Sequence, residues 1–557
     1  MVNYKPFINL FFIFIFFLST QIFANIYSSQ LKVSNPDGTV FDGNFADGTP
    51  AVLSFFLNDS ATSVIIEIID AVDKSVVHTI DLGATGRSYH EAIWNGEGAV
   101  SNKTYIYQIT AKQNNYSNTN WTIFYDSGGI GIFSRGLDIV TDMTHPNFGL
   151  MYAPNNGGPL GKGITIYNPD ASQFDTFLVA KDVSEGGSID WGSGDPFAAG
   201  VFDDLGRFYV SSIPFGEIRR LNLDYTITPV LTSYTNPLGI FITGTGENRT
   251  IYFCSDTKVF KAPIGNDDTF SGFTEEIATF DNIIPRAIAI DDDNNLYVAC
   301  RTNATDLNSD GAGLYKFSLN GNLPVVITDA IWSFDETVTH KISDMQIDYG
   351  NDRNTSNDDI LYYATRADAN NNDDGVWRIA DLSSAFTQPE KVITEIELYG
   401  GDDNINARSG IALDAAGNII LFENANEHIF FIAPPGSGTE NSFVTTAPEL
   451  ITVSVATDVE DNNIPTEFSL KQNYPNPFNP STTIQYSVPS SVKREMSNVK
   501  LIVYDVLGTE VATLVEENKS PGIYEVEWTA TGFASGVYFY RLKAGDFNSV
   551  KKLVLMK

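Results

Sequence analysis

Cysteine is nearly absent: Cys254 and Cys300 are the two in 557 residues. That excludes a disulfide scaffold and any cysteine-rich zinc module. The pair reads as small buried apolar residues, with a single disulfide as the alternative. Histidine is scarce too. His78, His90, His145, His340 and His428 are scattered, none at metal-ligand spacing from another, which argues against a histidine-built zinc site. Basic residues are few, 34 against 69 acidic ones, for a net charge of −35. Such a field repels phosphate backbones and excludes nucleic acid as a partner. Beyond the N-terminus no apolar run reaches the ~18 residues of a membrane span, so no transmembrane segment is expected in the mature protein. No Walker loop and no G-x-S-x-G elbow occurs.

What is present is a core-forming, strand-rich chain. It is 43% hydrophobic, 12% aromatic and 18% charged, with 44 glycines and 24 prolines. This composition predicts an all-β protein, and the length about three to five domains. Residues 1–24 carry Lys5, an apolar stretch Phe7–Leu18 and small residues up to Ala24. They read as a secretory signal peptide, which implies Sec export into the periplasm.

At the other end, Asn473, Pro475, Asn476, Pro477, Phe478, Asn479 and Pro480 form an extended proline-rich stretch ahead of a strand. Alternating segments follow, with Gly536, Tyr538 and the closing Lys551-Lys552. Alternation and turns predict a sandwich of about seven strands. The wording resembles the type A C-terminal sorting domain of the bacterial type IX secretion system, over residues 468–557. The resemblance implies recognition by that secretion machinery, export across the outer membrane, and release or surface anchoring. Residues 451–467 read as a linker.

The N-terminal segment echoes this module. Val64–Asp70 parallels Val499–Asp505, Val76–Ile80 parallels Val511–Leu514, Tyr89–Trp94 parallels Tyr524–Trp528, and Lys103–Tyr107 parallels Gly536–Tyr540. Residues 25–126 are therefore expected to form a second Ig-like sandwich, with Trp94 and Trp528 as core residues. The segment resembles the Ig-like domain of flagellar hook-assembly proteins, which implies a structural module.

Between residues 127 and 450 one phrase recurs: an apolar strand, an Asp/Asn/Gly turn and an aromatic-rich strand. Arg286–Asp291 with Asn295–Ala299, and Ser409–Asp414 with Gly417–Leu421, are clear copies. Six copies at roughly 40 to 67 residue spacing predict a six-bladed β-propeller, five or seven blades remaining open. The phrase resembles the NHL-repeat and gluconolactonase-like propellers. The expected fold is thus all-β: Ig-like sandwich, propeller, Ig-like sorting domain.

Chemistry is harder to place. Asp306, Asn308 and Asp310, followed by Gly311, match half of a calcium loop, though Phe317 stands where a bidentate acid is expected. Asn351–Asp359 and Asp368–Gly375 have suitable ligands but read as solvated loops. Trp191, Asp402 and Asp403 are candidate ligand-binding residues, Trp191 as a stacking surface for a sugar. The gluconolactonase resemblance implies an axial metal held by one Glu, one Asp and Asn oxygens. The inner-strand starts offer Arg135, Asp138, Arg286, Asp344 and Arg408 instead, so no catalytic residue is carried over. The leading expectation is a secreted or surface-bound, non-catalytic propeller binding an extracellular glycan or protein. The alternatives are a metal-dependent hydrolase or lyase acting on lactones or polysaccharide, and a structural matrix component. The charge is uneven: residues 468–557 hold ten basic and eight acidic residues, net +2, against −37 for the remainder.

Overall fold

The computed structural model describes Ile26 to Met556 except residues 46–47, 115–116, 132, 266–271, 303–312, 335–340, 351–355, 367–374, 384–386, 395–396, 399–409, 424–425, 438–439, 449, 455–466, 490–496, 520–521 and 546. The chain divides into two compact units, Met1–Val455 and Ala456–Lys557.

Among the described residues of the first unit stand six four-stranded antiparallel sheets. Their innermost strands are Asp138–Ile139, Phe197–Phe202, Pro237–Thr243, Ile283–Ile290, Lys341–Asp348 and Gly410–Leu413. Each touches the next, and the last touches the first, so the sheets close into a ring. The innermost strand of each of these six sheets falls on one copy of the sequence phrase. Close approach near the axis explains its glycines. A Cβ on Gly136 would lie 2.7 Å from the Gly200 nitrogen, and one on Gly239 2.6 Å from the Arg286 carbonyl oxygen.

The turn aspartates have a structural role. The Asp203 carboxylate accepts the N–H groups of Leu205 and Arg207, the Arg207 Nε–H and the Tyr209 hydroxyl. Asp291 holds the Asn295 backbone, the Asn295 amide and the Tyr297 hydroxyl in the same way. Asp414 does so for Ala416 and Asn418. One buried carboxylate thus satisfies the whole turn between the first two strands of a blade.

The sixth sheet takes its outer strand from earlier in the chain: Thr122–Asp126 pairs with His428–Ala433. Those residues, assigned above to the sandwich, belong to the propeller. The reverse also occurs. Glu440–Thr446 and Ile451–Thr452, assigned to the propeller and linker, pair with Thr104–Asn114 of the sandwich. The boundaries at 126 and 450 therefore shift, because the outgoing and returning chains run antiparallel along one ladder that includes Ser117–Asn118 with Gly436–Ser437.

The first sandwich packs a sheet of Ser28–Ser34, Ala51–Leu57 and Ser88–Trp94 against one ordered Val76–Thr85, Ala61–Asp70, Thr104–Asn114, Glu440–Thr446. The second unit repeats this order. Ser469–Leu470, Ser481–Val488 and Gly522–Thr529 form one sheet; Glu510–Lys519, Ser497–Tyr504, Gly536–Ala544 and Phe547–Leu555 form the other. Register agrees at the core: Val64 faces Ala111 and Ile68 faces Tyr107, as Val499 faces Ala544 and Val503 faces Tyr540. Side chains repeat as well. Trp94 meets Phe45 at 4.9 Å and Tyr105 at 5.9 Å; Trp528 meets Phe478 at 5.5 Å and Tyr538 at 5.8 Å. Both tryptophans are core residues. The two sandwiches share one plan, and in the first the propeller is inserted between the sixth and seventh strands.

Candidate functional site

The inner strands end at a mouth enclosing a cavity of about 870 Å³. Five of the six blades line it, together with Ser442–Val444 from the returning strand of the sandwich. The sandwich is seated beside this mouth by Tyr27, whose ring lies 5.4 Å from Phe148 and 5.8 Å from Phe443, and by a hydrogen bond from Gln30 Nε2 to the Phe148 carbonyl at 2.7 Å. The Arg87 guanidinium lies 3.2 Å over the Tyr125 ring of the sixth sheet, a cation–π contact strengthened by burial.

The mouth is acidic and apolar. Among the described residues, Asp138, Asp142, Asp203, Asp204, Asp348 and Asp414 line it without a Lys, Arg or His, beside Ile139, Val140, Phe241 and Ile347. Most of these carboxylates are already engaged. Asp203 and Asp414 hold their turns. Asp204 pairs with the fully buried Arg249, and Asp142 accepts the Thr144 N–H at 2.8 Å.

Asp138 and Asp344 lie on the inner strands and connect neighbouring blades. Asp138 Oδ1 accepts the Ile139 N–H at 2.9 Å, and its Oδ2 the Phe202 N–H of the next sheet at 2.7 Å. Asp344 repeats the arrangement with Met345 at 3.0 Å and Ile411 at 3.1 Å. Burial pushes Asp138 up to about 7 and Asp344 to about 8, against the pull of those N–H donors; the Asp138 charge adds to the rise at Asp344.

Trp191 is not a ligand platform. It is fully buried, its indole N–H bonds the Ala180 carbonyl at 2.7 Å, and its ring meets Phe197 edge-on at 4.6 Å. Its neighbours Asp190 and Gly192 are polar, but the indole itself turns inward. Trp121 and Trp332 likewise pack on Tyr362 and Tyr297, each at 5.9 Å. Asp306, Asn308, Asp310, Asp402, Asp403 and Arg408 lie outside the described residues. Arg135 is ion-paired with Asp195. Cys254 and Cys300 are buried and unlinked. Among the described residues no group of three or more His, Cys, Asp or Glu is arranged to hold a metal, and no helix is long and apolar enough to cross a membrane. Sequence reading named Asp138 and Asp344 on the inner strands but not Asp142, Asp203, Asp204, Asp348 or Asp414 as mouth lining; the signal for these was the aspartate recurring at inner-strand ends.

In the second unit the proline-rich stretch is stitched to the last two strands. The Asn473 N–H donates to the Tyr540 hydroxyl at 2.8 Å, which in turn donates to the Lys471 carbonyl at 2.7 Å. Asn476 Nδ2 bonds the Lys552 carbonyl at 3.2 Å, and its Oδ1 accepts the Val554 N–H at 2.9 Å. Phe478 is buried against Trp528, and the Tyr538 hydroxyl bonds the Ala534 carbonyl at 2.8 Å. The two ends of the module thereby form one continuous feature.

Residues 472–556 match the family described as the secretion system C-terminal sorting domain. The second unit is thus a secretion-system sorting domain, carried behind a β-propeller. Its sorting domain implies interaction with the secretion machinery and export to the cell surface or beyond. Residues 273–308, spanning the join of the third and fourth sheets, match the β-propeller repeat family. No curated protein matches. Solved structures similar to this chain include PorZ, a surface component of the type IX secretion system of Porphyromonas gingivalis, at 12% identity and TM-score 0.32, covering 92% of this chain and 69% of that one. A gluconolactonase from Xanthomonas campestris aligns at 12% identity and TM-score 0.36, covering 58% and 90%. Virginiamycin B lyase from Staphylococcus aureus aligns at 13% identity and TM-score 0.33, covering 56% and 99%. Likeness this loose transfers no chemistry.

Proposed function

We propose that the chain is a non-catalytic binding protein of the bacterial surface, exported with residues 1–24 as signal peptide and 468–557 as sorting domain. Its propeller holds an extracellular protein or glycan at the acidic mouth. The supporting observation is the engagement of the mouth's carboxylates by turn N–H groups and by Arg249. Acids held this way shape a surface and a field. Such a field attracts cationic groups, a lysine or arginine side chain or an amino sugar.

The test is a glycan array and a pull-down with the full chain and an Asp142→Lys, Val444→Arg double variant, both positions being exposed at the mouth. A ligand retained by the parent and lost by the variant is expected. Turnover of a lactone or polysaccharide with no ligand captured would overturn the reading. Deletion of residues 468–557 is expected to leave the protein in the periplasm; normal release would refute the sorting role of Asn473–Pro480 and Lys551-Lys552.

One observation favours a second reading, a propeller hydrolase or lyase. Asp138 and Asp344, protonated near neutrality at the axis, have the proton affinity a general acid needs. In either reading a calcium ion at Asp306, Asn308 and Asp310 has a structural part, tested by calcium binding to an Asp310→Asn variant.

A further inference from the structure

Asp359 immediately precedes the second strand of the fifth sheet and is fully buried. Its Oδ2 accepts the Asp292 N–H at 3.3 Å, whereas its Oδ1 has no hydrogen-bond partner among the described residues. The turn that carries Asp292, in the fourth sheet, is locked beside it: Ser356 Oγ donates to Asp293 Oδ2 at 2.5 Å. The charged groups that face Asp359 most closely are acids. Burial first, then Asp292, Asp291 and Asp358, push its carboxyl up to about 7. Lys316 stands 3.8 Å from Asp291 and gives its hydrogen bond to the Leu382 carbonyl. A buried carboxylate oxygen calls for a donor or a cation, and the surrounding acids supply the opposite.

We propose that the seam between these two turns binds a hard divalent cation of the calcium type, with Asp359 Oδ1 as the anchoring ligand and Asp292 and Asp358 balancing its charge. Calcium accepts six to eight oxygens in flexible geometry, so backbone carbonyls and water can fill the remaining positions. No three of the described acidic side chains converge on one point; the ion would draw Asp292 and Asp358 toward Asp359 against their mutual repulsion. The site lies on inter-strand turns of the fourth and fifth sheets.

Calorimetric titration of the EDTA-stripped full chain with calcium chloride tests this, with melting followed in parallel. The parent is expected to bind calcium saturably and to melt at higher temperature once loaded. Asp359→Asn, nearly the same shape without the charge, is expected to lose that binding event and the melting shift. Asp292→Asn is expected to weaken it by about tenfold or more, as loss of one charged ligand does. Asp310→Asn leaves this event in place. Circular dichroism checks that the variants fold, and Asp292→Asn carries the test should Asp359→Asn fail to. Absence of calcium binding by the parent, or binding and melting shift unchanged in both seam variants, would overturn the proposal.

Discussion

Raising the pH from 5.5 to 7.5 is expected to weaken the first unit, and the axial aspartates set the size of the effect. The folded values of about 7 for Asp138 and about 8 for Asp344 lie above the ordinary 3.8. Each therefore binds a proton more tightly folded than unfolded. The stability this contributes is fully present below about 3.8 and is lost as pH rises through 7 and 8. Over most of the interval each group holds one extra proton in the folded state, a slope of about −1.4 kcal/mol per pH unit, or about −3 for the pair. Asp359 and Asp414, both raised to about 7 by burial, act in the same direction. His145 opposes them: burial lowers it from 6.5, so it destabilises the fold as pH falls. Urea unfolding in EDTA, followed by tryptophan fluorescence at several pH values, reads the slope. Asp344→Asn loses an acceptor for either Met345 or Ile411 and is expected to be less stable overall. Its pH slope is expected to be shallower by about 1.4 kcal/mol per unit. A midpoint that is flat or rises toward pH 7.5, or an unchanged slope in Asp344→Asn, would refute the reasoning.

Trp191→Ala is expected to cost about 3–5 kcal/mol of stability, measured by urea unfolding, while leaving ligand capture intact; loss of ligand at unchanged stability would restore a stacking role. Gly43 has φ +82°, and a Cβ there would lie 2.0 Å from the Thr452 carbonyl oxygen. Gly43→Ala should therefore cost about 1–3 kcal/mol, and a neutral melting curve would contradict the seating of the returning chain. Tyr107 and Tyr540 occupy the same place in the two sandwiches, their hydroxyls bonding the Lys32 and Lys471 carbonyls. Each Tyr→Phe change should cost about 1 kcal/mol. By differential scanning calorimetry, Tyr540→Phe is expected to lower the transition of the second unit alone.

Much of the architecture was legible because it is written in local repetition. The aspartates at 203, 291 and 414 recur since three of the blades hold the same turn in the same way, and Val64 and Val499 recur since both sandwiches bury the same strand face. The seventh strand of the first sandwich was illegible for the opposite reason. Glu440–Thr446 is an ordinary short strand, and its partner Thr104–Asn114 precedes it by more than three hundred residues, a separation that alternation cannot encode. Trp191 misled because the polarity of its neighbours says nothing about the direction of its own side chain. Most of the mouth's lining was missed because a cavity belongs to the ring, and no single copy of the phrase contains it.

The split sandwich also sets an order of events during synthesis. Its sixth strand leaves the ribosome early, and the strand that must cover it arrives only after every blade has been made. A chain truncated within the propeller would leave an open β-edge beside its own N-terminus, an adhesive flag that housekeeping proteases and chaperones can read. Completion of the N-terminal sandwich thus requires that every blade has already been made.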